Sequence, residues 1–100
     1  MELKHGIEVE KNTEKSVLKE FEVLPATVGA VIRATDKSNG SEAKLQAAII
    51  VERIKIKGLP DSVWSAGILE QMSLDDFEVM REEIEKFDAN FTFSPPSIRI

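Results

Sequence analysis

The sequence predicts an α+β domain, an N-terminal β-hairpin packed against about three α-helices. Three observations carry this reading. Apolar and polar residues alternate through residues 3–24, with a polar break between two runs. A central apolar stretch is bounded by helix signals, Ser41 before it and Gly58 and Pro60 after it. Near the C-terminal end, Ser73 opens the best-specified helix in the chain.

In the hairpin, Leu3, Ile7 and Val9 alternate with polar residues, and Glu8 and Glu10 point to water. Asn12–Lys15 is the turn region. Val17, Phe21 and Val23 share the second strand's inner face by period two, with Leu18 and Leu24 opposite. A two-stranded ribbon is marginal alone, so it needs a helix or a partner against it.

Pro25 ends that strand and suits the first turn of a helix. Val28, Val31 and Ile32 give this helix an apolar face, while Ala26, Ala30 and Ala34 let it approach a neighbour closely. Asp36–Gly40 is a loop by composition. Ser41 caps a second helix expected over residues 42–57. Leu45, Ala48, Ile49, Val51, Ile54 and Ile56 spread more than halfway round it, although Ile54-Lys55-Ile56-Lys57 also alternates like a strand. Val63–Leu69 reads as a short helix or an irregular segment, because Gly67 weakens either choice.

Ser73 then precedes a helix over residues 74–88. Asp75 and Asp76 face the positive end of its dipole, and Asp76 stands where a shortened capping box needs it. Met72 and Phe77 fit a hydrophobic staple. Leu74, Phe77, Met80, Ile84 and Phe87 form one stripe. Residues 89–93 are expected to fold back as a short strand. The division is therefore one small domain over residues 1–93 and an extended tail over 94–100.

One hundred residues, 42% hydrophobic and 31% charged, support one modest core. A net charge of −5 with dispersed basic residues argues against nucleic-acid binding. There is no cysteine and a single histidine, His5, so no disulfide framework, zinc–thiolate site or multi-histidine metal site is expected. No apolar run approaches the ~20 residues of a membrane span, and residue 1 onward does not read as a signal peptide. A cytoplasmic protein without membrane contact is the expectation.

No catalytic, cofactor-binding or metal site emerges. The serines lack partners in any recognisable order, and Asn39-Gly40-Ser41 lacks the glycine pattern and lysine of a phosphate loop. Asp75 and Asp76 are accounted for by capping, and Glu82, Glu83 and Glu85 by a solvated face with an Arg81–Glu85 pair. A non-enzymatic binding protein is expected. Trp64 is either a core anchor or an interface anchor. On the second reading Val63, Trp64, Ile68 and Met72 form a partner patch, and Ile49 on the broad apolar helix adds to it.

The order of parts resembles the tail assembly chaperones of long-tailed bacteriophages, in particular the Mu-like type. The likeness lies in the hairpin, in Val23-Leu24-Pro25-Ala26-Thr27-Val28-Gly29 leading into a short helix, in the apolar mid-chain helix, and in Ile68-Leu69-Glu70-Gln71-Met72-Ser73-Leu74-Asp75-Asp76-Phe77 running on to Phe87. It covers roughly residues 3–90; the polar hairpin turn and Phe91–Ile100 depart from it. The resemblance implies a protein of the host cytoplasm that binds the phage tape-measure protein before the tail tube polymerises, by reversible burial of apolar surface. A structural tail or baseplate subunit retained in the virion, and a small regulatory protein-binding domain, are the alternatives. Self-association through exposed strand edges is a further expectation.

Overall fold

The computed structural model describes residues 1–100. The elements run β1 (Glu2–Lys11), β2 (Glu14–Val23), α1 (Val28–Ser38), α2 (Glu42–Arg53), β3 (Ile54–Ile56), α3 (Ala66–Glu70) and α4 (Leu74–Asn90). The strands form an antiparallel sheet in the order β1-β2-β3, and the class is α+β.

The hairpin turns on two residues. Lys11 pairs with Glu14, and Asn12 and Thr13 have φ of 53° and 67°. This is the twist-matched turn that joins antiparallel strands tightly, and asparagine suits it. Thr13 does not, because a β-branched side chain is strained at positive φ.

Between the pairs Glu2–Glu20 and Ile7–Leu18, β1 carries three more residues than β2 and bulges out of the ladder. Gly6 sits there at φ 83°, where a Cβ would lie 2.5 Å from the Leu18 carbonyl oxygen. Only glycine satisfies both conditions. The bulged backbone turns its N–H groups to α4. Lys4 and His5 donate to Asp76 Oδ1 at 2.6 and 3.1 Å, and Gly6 donates to Oδ2 at 2.9 Å. Asp76 is therefore more than a capping residue. Its own N–H donates to Ser73 Oγ at 3.1 Å, as the cap requires. Its carboxylate, with no exposed surface, reaches the sheet instead of closing a capping box. Burial alone pushes this carboxyl up, but the N–H groups of His5, Gly6 and Lys4 outweigh it and hold the pKa below the ordinary 3.8.

At the end of β2, Leu24 N donates to the Arg53 carbonyl at 2.7 Å, and Arg53 Nε donates back to the Leu24 carbonyl at 2.8 Å. The Arg53 guanidinium also grips Asp88 of α4, Nη2 to Oδ1 at 2.5 Å and Nη1 to Oδ2 at 3.3 Å. The chain stays extended through Pro25, and α1 starts later than that proline suggested. Thr27 is the N-cap, its Oγ1 accepting from Ala30 N at 3.1 Å.

α2 ends at Arg53, one turn short of expectation, and residues 54–56 are a strand. The reason is geometric. On a helix, Ile54 and Ile56 would point in nearly opposite directions, but on a strand both face one side. Here both are buried, paired with Val23 and Phe21, while Lys55 and Lys57 point outward. Trp64 closes the same junction. Its Nε1–H lies 3.1 Å from the Val51 carbonyl and 3.0 Å from the Ile54 carbonyl, one left open by the helix end and one on the free edge of β3.

The core gathers Leu3, Ile7, Phe21, Val23, Ile50, Ile54, Ile56, Leu59, Trp64, Leu69 and Met80, with Phe77, Ile84 and Phe87 of the α4 stripe partly buried against it. Leu74, the first residue of that stripe, is exposed. Other expectations shift as well. Val17 is exposed because nothing covers the outer half of the hairpin, while Leu18 is half-buried beside Gly58. Arg81 pairs with Glu78, at 2.5 Å, instead of Glu85. Residues 91–93 form no strand; Phe91 stacks on Phe87 with ring centroids 4.8 Å apart. The radius of gyration is 14.8 Å, above the ~13 Å of a compact chain this long, because the hairpin tip and the tail project.

Three outcomes are expected. Thr13→Gly should raise stability in urea unfolding by about 1 kcal/mol, by relieving the positive φ. Asp76→Asn should lower it by about 3 kcal/mol at pH 7, since an amide cannot accept from all three donors. The lowered Asp76 pKa contributes stability that is complete above the unfolded-state value and lost as pH falls through the folded one. The gap between the parent protein and Asp76→Asn should therefore narrow as unfolding is followed from pH 5 to pH 2.

Candidate functional site

α1 packs on α2 through its small residues. Ala30, Ala34 and Ser38 recur every four positions, and all three are buried. Small side chains bring two helix backbones close together, so this row faces inward. The branched residues are then left on the other side. Val28, Val31 and Ile32 are 77%, 52% and 55% exposed, and their spacing of three and four makes one continuous stripe. The apolar face recognised in the sequence is thus an outer surface, and the alanine row is the packing face.

A small groove adjoins the stripe between α1 and α2. Ala26, Thr27, Ala30, Val31 and Ile49 line it, with Glu52 and Arg53 alongside. The charges next to it are already paired: Arg33 Nε donates to Glu52 Oε1 at 2.6 Å, and Arg53 is held by Leu24 and Asp88. The groove therefore offers aliphatic carbon beside charges that are already paired. Covering what remains exposed of one such side chain is worth about 1 kcal/mol.

The residues expected to bind a partner do not form one patch. Trp64 is only 8% exposed and has its indole N–H engaged in the core, so it is the core anchor of the two readings. Val63 beside it is exposed, while Ile68 and Met72 are partly buried against the core. Ile49 lies in the α1–α2 groove, apart from those four. The sequence reading recognised the apolar stripe on α1 but did not place it at the surface. Its signal was the regular Ala30-Ala34-Ser38 row, which marks the inward face despite the weaker hydrophobicity of those residues.

Elsewhere, an open cleft of about 650 Å³ lies along Glu20–Glu22 and Lys55–Pro60, where Lys57 Nζ meets Glu20 Oε2 at 3.1 Å. Its charged groups form no nucleophile–base pair. No group of three or more histidine and acidic side chains converges in a way that could hold a metal. His5 Nε2 lies 3.6 Å from Asp75 Oδ2, with both side chains largely in water. The buried Asp76 carboxylate is occupied by backbone donors. No helix is long and apolar enough to cross a membrane. Comparison with protein-family models, curated proteins and solved structures finds no match for this chain.

The two roles of Trp64 separate by mutation. Trp64→Phe keeps most of the packing and loses the N–H contacts, and should cost about 1–2 kcal/mol in urea unfolding. Trp64→Ala should cost about 3–5 kcal/mol, as expected for a core site, and so cannot serve as a clean probe of binding.

Proposed function

We propose that this chain is a non-enzymatic binding protein that holds an apolar, helical segment of a partner against the Val28–Val31–Ile32 stripe of α1. The observation that supports this reading is the stripe itself: three branched aliphatic side chains largely in water on a well-capped helix that packs through its Ala30–Ala34–Ser38 row. Helix-in-groove recognition uses residues at this spacing, and the adjoining groove with Ile49 gives a partner side chain a place to enter. The net charge of −5 keeps such a surface soluble while it is unoccupied.

Together with the likeness in the order of parts, this reading makes the chain a tail assembly chaperone of a long-tailed phage or prophage, and its partner the tape-measure protein. That partner is long and mostly helical, so it presents apolar helical surface until the tail tube encloses it. The work required is reversible burial of carbon surface, with no bond made or broken. The same reading places the protein in the host cytoplasm.

Co-expression with the tape-measure protein of the same phage tests this. A soluble complex is expected, and Val31→Asp or Ile32→Asp should abolish it while leaving the thermal unfolding midpoint of the free protein within about 2 °C, since exposed positions change stability little. Loss of the complex only in variants that also unfold would overturn the assignment to α1. Finding this protein in stoichiometric amount in purified mature particles would identify a structural subunit and overturn the chaperone reading.

A further inference from the structure

The sheet order leaves β1 with an outer edge that no other strand pairs. Beyond the bulge, Ile7, Glu8, Val9 and Glu10 are bound to β2 on one side only, at Leu18, Val17, Ser16 and Lys15. Such an edge is a row of backbone donors and acceptors open to another strand. The chain also carries a segment suited to it. Phe91 N donates to the Phe87 carbonyl, and past that point the tail makes no hydrogen bond to the rest of the molecule. Ile98 is 79% exposed and Ile100 is fully exposed, with Arg99 between them.

The geometry points to strand exchange between two copies of this chain, with Ser97–Ile100 of one copy pairing antiparallel to Ile7–Glu10 of the other. Residues directly opposite in paired strands share a face. Setting Arg99 opposite Glu8 places Ile98 beside Val9 and Ile100 beside Ile7, and Ser97 beside Glu10. The alternation matches on both faces, and Arg99 falls opposite Glu8 with Glu10 on one diagonal. Glu8 has one neighbour of opposite charge already, Lys15 Nζ at 3.7 Å, and both of those side chains are exposed. It is free to accept a guanidinium.

Two features favour a second copy over the molecule's own edge. α4 begins at the bulge, where Asp76 meets residues 4–6, and ends beside Met1, which shares a shallow groove with Phe87, Asn90 and Phe91. The tail therefore leaves from the start of β1, while the unpaired edge lies toward its far end. To pair in its own molecule the tail would have to double back, and Pro95-Pro96 holds it extended. Exchange in both directions gives one two-fold assembly with two ladders, which offsets the shortness of each.

Sedimentation equilibrium of the full chain, from micromolar to millimolar, is the first test. Dimers are expected. Arg99→Glu should weaken dimerisation by at least tenfold, and the charge swap Glu8→Arg with Arg99→Glu should restore it. Because the chain has no cysteine, engineered thiols are unambiguous. Val9→Cys protein mixed with Ile98→Cys protein should form a covalent heterodimer on oxidation, and neither alone should crosslink comparably. A monomer throughout the range, dimerisation indifferent to Arg99→Glu, or a Val9→Cys/Ile98→Cys double variant that closes only within one chain would each overturn the proposal.

Discussion

The contact between Asp76 and the β1 bulge sets the arrangement of the whole molecule. Three backbone N–H groups that left the sheet ladder need an acceptor, and a buried carboxylate needs donors. Each requirement is met only by the other. The contact joins residues 70 to 72 positions apart and fixes where α4 begins relative to β1. It also makes Gly6 indispensable, since the bulge must run at positive φ against the Leu18 carbonyl. The strand-to-helix docking thus depends on one carboxylate and one missing Cβ.

Arg53 and Trp64 do for the opposite end of the fold what Asp76 does at the bulge. A helix that turns directly into a strand leaves carbonyls without partners at the change of direction. The indole of Trp64 satisfies two of them, and the Arg53 side chain satisfies the Leu24 carbonyl while pairing with Asp88. Both long side chains are buried because each has a polar task as well as apolar surface to cover. No buried side-chain polar atom is left without a partner, which a core this small can hardly tolerate.

Local signals proved sufficient where local physics decides. The hairpin, the caps at Ser41 and Ser73 and the inward stripe of α4 follow from alternation and side-chain chemistry within a few residues. The failures that matter most for the fold are non-local. Asp76 looked like a capping residue because its true partners lie at residues 4–6. The strand at Ile54–Ile56 was visible as alternation but lost to the helix before it, since its stabilising partners, Phe21 and Val23, are distant in sequence. The outward orientation of the α1 stripe was missed for a related reason. Val28, Val31 and Ile32 are the more hydrophobic residues of α1, yet what α2 can accept at close range is alanine and serine. Packing distance overrode hydrophobicity.

That override bears on function. A helix whose smallest residues face its neighbour and whose largest aliphatic residues are more than half exposed gains little in stability from the second choice. Threonine or lysine at positions 28, 31 and 32 would fold as well and dissolve better. The same holds for Ile98 and Ile100, in a segment that contributes no hydrogen bond to the fold. Apolar residues that the fold does not use sit at two separate places, one on a rigid helix and one on an extended strand-like tail. The rigid surface suits a partner helix, and the tail suits an edge strand, so the two can be occupied at once. On the two proposals, self-association and the hold on another chain use separate surfaces, and neither contact disturbs the core beneath.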